Sequence, residues 1–356
     1  MRLPVPAILL ALMPIVVTLS AAQTSVPSAP EATRAPTTAD PSSVIASARK
    51  AFAAGHSEDA LKQLDTLTSL TPESAGVENL RGFIYYQQRN MPAAEAAFAK
   101  AAAQDPSDVE SMQMRGVALY SLGRPAEAIP LLEKAHADVP SVNVDPNYVL
   151  GVCYIAVRRY DDARHAFAAQ YGFAPDSAPA YLLAARLLLR HENAAAAEEF
   201  AHKALEIKPN LPLAHLLLGE VALARAQLPE AIAELNQERE LNPLSSSVYD
   251  RLGDAYVRSG DDEKAQLELR RAILLDPYST GPYVLLGKVM LNQQNYLLGQ
   301  LYLERAVSMD PNNSITHNLL GEAYSRLGRS ADANQQFRAA EQLQNGHAGA
   351  KVESAH

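Results

Sequence analysis

A chain of 356 residues is long enough for two ordinary domains or one long repeat array. Its formal charge of −9 excludes a nucleic-acid surface, which needs a net basic face, and equally a polybasic membrane patch. The single cysteine, Cys153, excludes an intramolecular disulfide and a thiolate zinc cluster, while abundant alanine and leucine suit a soluble, helix-rich protein.

The first predicted element is a leader. Arg2 gives a short positive start, Leu3 to Leu19 form an apolar stretch, and Ser20-Ala21-Ala22 supplies small residues for cleavage before Gln23. The stretch carries Pro4, Pro6 and Pro14 and is short for a membrane-spanning helix, which needs about 20 apolar residues. A cleaved signal over residues 1–22 and export to the periplasm or outside the cell are therefore expected. The alternative is a retained signal anchor, the one route by which this chain would meet a membrane. Residues 23–40 turn to Ser, Thr, Ala and Pro, too poor in apolar surface to offset their ordering entropy, and read as a spacer.

A repeat follows. Pro72, Pro106, Pro140, Pro175, Pro209, Pro243, Pro277 and Pro311 recur every 34 residues, with one step of 35. A period of that size signals stacked supersecondary units. Gly82, Gly116, Gly219, Gly253, Gly287 and Gly321 lie ten residues after their prolines, and Gly151 is one place late. A small residue comes twelve places after the glycine, as at Ala94, Ala231 and Ala333, and a bulkier one four places later, as at Phe98, Leu235 and Phe337. Proline just past a helix cannot continue its hydrogen-bond ladder. Asn312-Asn313-Ser314 and Ser245-Ser246 then offer caps for the next helix. Breaks such as Leu122-Gly123-Arg124-Pro125 and Ser259-Gly260-Asp261 divide each unit into two helices, and Pro92, Pro125 and Pro229 fall where second helices start. Glycine inside a helix costs about 1 kcal/mol relative to alanine, so its recurrence implies close packing of two helices there.

This pattern resembles the tetratricopeptide repeat, a 34-residue helix pair with Gly, Tyr, Ala, Phe and Pro at fixed spacing. Tyr249, Gly253, Tyr256, Ala265, Ala272 and Pro277 match it, as do Gly321, Tyr324, Ala333, Phe337 and Ala340. A weaker first copy carries Phe52, Gly55, Ala60, Leu64 and Pro72. The resemblance implies an all-α, right-handed superhelical solenoid of about nine helix pairs over residues 41–344. Their bounds fall near 41–74, 75–108, 109–142, 144–177, 178–211, 212–245, 246–279, 280–313 and 314–344, before a disordered tail at 345–356. Three departures stand out. Ala185 replaces the glycine, the stretch 138–147 carries an inserted residue and a second proline, and Pro130 lies inside a second helix. The last helix is rich in Gln, Asn, Arg and Glu, as a terminal cap should be.

By analogy with that family, function sits on the concave face built from first helices. Seven residues after the prolines come Leu182, Leu216 and Asp250, with Tyr148 in the inserted repeat. Eleven after come Arg186, Glu220, Asp254, Lys288 and Glu322. One turn on lie Ile155, Leu189, Leu223 and Val257, with Arg258 and Arg326 one place further. The middle of the groove reads as apolar, through Tyr148, Ile155, Leu182, Leu189, Leu216 and Leu223, and its C-terminal part as charged in both signs. Apolar residues would anchor a bound peptide or helix and charges would set its register. The alternative for each leucine is packing between repeats, and for each charge mere solvation.

Catalytic chemistry is absent from the motifs. There is no HExxH, no phosphate-binding glycine loop and no nucleophile elbow, and the histidines show no ligand spacing. Cys153 reads as a packed thiol. The expected function is a non-enzymatic scaffold for a protein or peptide partner, with no metal and no cofactor, working in envelope or secretion-complex assembly. The alternatives are an accessory subunit that recruits substrate to an envelope enzyme such as a protease, and a self-associating structural element.

Overall fold

The computed structural model describes residues 40–67, 74–138 and 146–353, and the leader, most of the spacer and the inserted stretch at 139–145 lie outside them. The described residues form eighteen α-helices and no strand. They divide into two compact units, one ending at Val157 and one beginning at Arg158. The first unit holds α1 (Pro41–Ala53), α2 (Ser57–Asp65), α3 (Val77–Gln87), α4 (Met91–Gln104), α5 (Val109–Ser121), α6 (Pro125–Asp138) and α7 (Pro146–Ala156). The second holds α8 (Tyr160–Tyr171), α9 (Ala178–Arg190), α10 (Ala194–Ile207), α11 (Ala214–Ala224) and α12 (Leu228–Leu241), then α13 (Ser246–Ser259) and α14 (Asp262–Leu275). It ends with α15 (Thr280–Asn292), α16 (Tyr296–Met309), α17 (Ser314–Arg326) and α18 (Ser330–Glu353). Within each unit every helix packs on the next in sequence.

The recurrent glycine is explained by the bulky residue sixteen places on. A Cβ at Gly219 would lie 2.6 Å from Leu235 Cγ, at Gly253 2.4 Å from Leu269 Cδ2, and at Gly321 2.6 Å from Phe337 Cε1. The second helix thus drives a large side chain into the space that the first leaves empty. The departure at Ala185 is compensated rather than loosened. Sixteen places on stands Ala201 instead of Leu or Phe, and both alanines are fully buried, so volume added to one helix is removed from the other.

The turn between the two helices of each repeat carries a second period. Gly55, Arg89, Gly123, Arg158, Glu192, Ala226, Gly260, Gln294 and Gly328 all have positive φ, from 59° to 84°. Each opens the second helix, where Asn90, Asp261 and Asn295 accept hydrogen bonds from the amides of Ala93, Lys264 and Leu298. Of the two expected caps of first helices, Asn313 accepts from the amides of Ile315 and Thr316 at 3.1 Å. Ser245 makes no side-chain capping bond.

The two array ends differ from the interior. Val77 and Ile84, on the face of α3 that meets α1 and α2, are fully buried, whereas their counterparts Ser43 and Lys50 in α1 are exposed. At the other end α18 exposes Asn334 and Glu341 where α16 carries Gln300 and half-buried Val307. Helix α18 continues to Glu353, past residue 344, where the sequence pattern ends the last repeat and a disordered tail was expected. Pro130 lies inside α6, which runs on through it to Asp138.

Candidate functional site

The predicted groove residues fall on α7 in the first unit and on α9, α11, α13, α15 and α17 in the second. Three of the apolar anchors are core residues. Ile155, Leu216 and Leu223 are 3%, 4% and 5% exposed. Leu216 and Leu223 pack with Ala231, Leu235, Val248 and Leu252, so α12 and α13 already cover them. A first helix inside an array has its own second helix and the next repeat against it, and that contact consumes the leucines. Half-buried Leu182 packs beside the cluster of Ala178, Ala204 and Leu211, while Leu189 and Tyr148 are also half-buried. Of the six apolar positions, Ile155, Leu216 and Leu223 are thus core, whereas Leu182 and Leu189 in the second unit and Tyr148 in the first are only half-buried.

The charged residues keep their surface. Eleven places after the prolines, Arg186, Glu220 and Asp254 are half-buried and Lys288 and Glu322 exposed, one on each first helix from α9 to α17. One turn on, Arg258 and Arg326 pair with Asp254 at 3.7 Å and with Glu322 at 3.9 Å. The N-terminus of α11 is fixed by Glu238 of α12. Its fully buried carboxylate accepts from the amides of Leu213 at 2.8 Å and Leu216 at 3.3 Å. Leu213 adopts positive φ to start the helix there.

Between α11 and α13 the charges form a cluster that the sequence pattern only half revealed. Arg251 donates from Nε to Glu220 at 3.1 Å and from Nη1 to Asp250 at 3.3 Å, tying two predicted residues together. Arg251 itself was missed. The signal was there, because its counterparts Leu80, Met114, Leu217, Leu285 and Leu319 are all apolar. A guanidinium where the repeat calls for a hydrophobe marks a position with another task. Asp250 Oδ1 is buried without a hydrogen-bond partner, and a Cβ at Gly281 would come within 3.3 Å of it. Burial, and then the nearby carboxylates of Asp254 and Glu220, raise the Asp250 pKa above the ordinary carboxylate value, against the opposing pull of Arg251. Arg186 Nη2 is likewise buried without a partner. Both atoms are closed off from solvent and therefore lack even a water partner at the surface.

At the end of the face an open cleft of about 610 Å³ is lined by Asn318, Leu319, Glu322, Ser325, Arg326 and Phe337. Phe337 is 40% exposed, whereas Leu235, Leu269 and Leu303 at the same place in earlier repeats are fully buried. The next helix pair covers those three and no described pair covers α18. Elsewhere, burial pushes the Cys153 thiol up to about 12, which keeps it protonated and unreactive at neutral pH. No group of three His, Cys, Asp or Glu among the described residues could hold a metal, and no described helix is long and apolar enough to cross a membrane.

Family models described as tetratricopeptide repeat match residues 45–109 and 85–143, 119–187, 246–279 and 302–336. No curated protein matches the chain. Among solved structures, MamA residues 41 to the end from Desulfovibrio magneticus are 19% identical over 48% of this chain and 97% of that one, with a TM-score of 0.44. A tetratricopeptide repeat protein from Parabacteroides merdae is 18% identical over 68% and 95%, with a TM-score of 0.41. YrrB, described as a TPR protein with an unusual peptide-binding site, is 19% identical over 55% and 100%, with a TM-score of 0.42.

Proposed function

We propose that this chain, which belongs to the tetratricopeptide repeat family, is a non-enzymatic scaffold that binds a protein or peptide along its first helices. The observation that carries this reading is the charged row Arg186, Glu220, Asp254, Lys288 and Glu322, one half-buried or exposed side chain on each first helix from α9 to α17. Five successive first helices present an ionic side chain at the same turn, alternating in sign often enough to fix the register of an extended, charged partner. Core packing needs none of these charges. Leu182 and Leu189 add a half-buried apolar edge at the α9 end.

The leader reading of residues 1–22 makes the setting the periplasm or the cell exterior, and envelope or secretion-complex assembly the process. N-terminal sequencing of the protein recovered from its own cells tests that setting, since a chain starting near Gln23 is the expected result.

A photo-crosslinker placed at Lys288, with a second placed at Glu240 of α12 as a control, tests the binding surface. One partner captured from position 288 and not from 240, and lost in the Arg186→Glu, Glu322→Lys variant with unchanged helicity, is expected. Equal capture from both positions would remove the first helices as the binding face.

A further inference from the structure

The second helices α14 and α16 each expose two leucines, whereas α10 and α12 expose Ile207 and Leu241 only at their final residue. Leu267 and Leu274 of α14 are 67% and 71% exposed, and Leu297 and Leu301 of α16 are 69% and 61% exposed. Leu267 and Leu301 occupy the same repeat position, which holds Glu199, Ala233 and Gln335 in α10, α12 and α18. Single exposed leucines are ordinary, but four on two neighbouring repeats mark an interaction surface.

The charges beside them say what covers it. The exposed stripe of α14 reads Glu263, Leu267, Arg271, Leu274, and that of α16 reads Leu297, Leu301, Arg305. Glu263 and Arg271 lie four residues either side of Leu267. A two-fold axis through Leu267 therefore sets each copy's Glu263 against Arg271 of the other copy. An axis between the two helices sets Glu263 against Arg305 and Leu267 against Leu301. Either arrangement makes the surface complementary to itself, as an isologous contact requires. The remaining cations on α14 are engaged within their own helix or its cap, Lys264 with Asp261 at 2.7 Å and Arg270 with Gln266 at 3.0 Å.

We propose that α14 and α16 dock antiparallel onto a second copy of this chain, with the four leucines at the centre and Glu263–arginine pairs at the rim. This contact uses second helices and leaves the charged row of the first helices free for a partner.

Sedimentation equilibrium of the full chain over a range of concentrations tests the contact. A dimer is expected, and Leu267→Glu with Leu301→Glu should raise its dissociation constant about 100-fold or more while circular dichroism stays unchanged. Glu263→Arg alone should weaken the dimer, and adding Arg271→Glu and Arg305→Glu to it should restore association, since the pairs are then reversed. A chain that stays monomeric, or a dimer indifferent to the leucine changes, would overturn the proposal. So would a monomer that floats with phosphatidylglycerol vesicles and loses flotation on Leu267→Glu with Leu301→Glu, because the patch would then be a membrane-docking face.

Discussion

The first helices α9 and α11 and the first helices α13, α15 and α17 occupy the same place in their repeats, yet they use it differently. In α11 the positions seven and fourteen after the proline are Leu216 and Leu223, both sunk into the core that α12 and α13 complete. In α13 the first of these positions is Asp250, which keeps one oxygen on Arg251 and the other unpaired. A leucine at this place strengthens the stack and leaves little for a partner. A carboxylate there costs stability and leaves chemistry that a partner can use.

The largest effect that would break this comparison is Leu223→Glu. A carboxylate forced among Leu235, Val248 and Leu252 should cost roughly 3–5 kcal/mol, read as a lower urea midpoint with reduced helicity. Unchanged stability would return Leu223 to the partner-facing surface. Lys288→Glu on α15, an exposed position, should leave the same melt where it is.

Asp250→Asn sharpens the charged side. Because the folded pKa of Asp250 is raised, the folded state holds this proton more tightly than the unfolded chain. Stability from this group is therefore full below the ordinary carboxylate pKa and is lost as pH rises through that value to the raised one. The Asn variant should be more stable than the parent at neutral pH and should lose this part of the pH dependence. Denaturant melts at a series of pH values decide the matter, and equal slopes for both chains would refute it.

The smallest effect concerns the turns that close the two kinds of repeat. Ala226, after α11, has a φ of 59°, whereas the equivalent residue after α13 is Gly260. Ala226→Gly relieves a left-handed alanine but frees the unfolded chain, so a net gain of at most about 1 kcal/mol is expected. A loss of stability on thermal melting would mean that the alanine methyl contributes packing that outweighs the backbone strain.

Much of the fold is legible in residue types. The glycines and the bulky residue sixteen places after each have one physical origin, a helix crossing so close that only hydrogen fits on one side, and the eight prolines another, the missing amide hydrogen that stops a helix. The turn was legible at Gly55, Gly123, Gly260 and Gly328 but not at Arg89, Arg158, Glu192, Ala226 and Gln294, where the surrounding helices impose the left-handed backbone on residues that do not favour it. The candidate site was legible in part, because Arg186, Glu220, Asp254, Lys288 and Glu322 share one repeat position and a charge seldom enters a core.

The sequence by itself determined the repeat, its helix pairs and the row of charges, because each rests on a local rule of spacing, capping or solvation repeated every 34 residues. Only the tertiary structure decided that Leu216 and Leu223 are core, that Ala201 answers Ala185, and that Arg251 joins Glu220 to Asp250. Those outcomes depend on which neighbour arrives at a face. A leucine looks the same in sequence whether the next repeat covers it, as at Leu223, or no described residue does, as at Leu267 and Leu301.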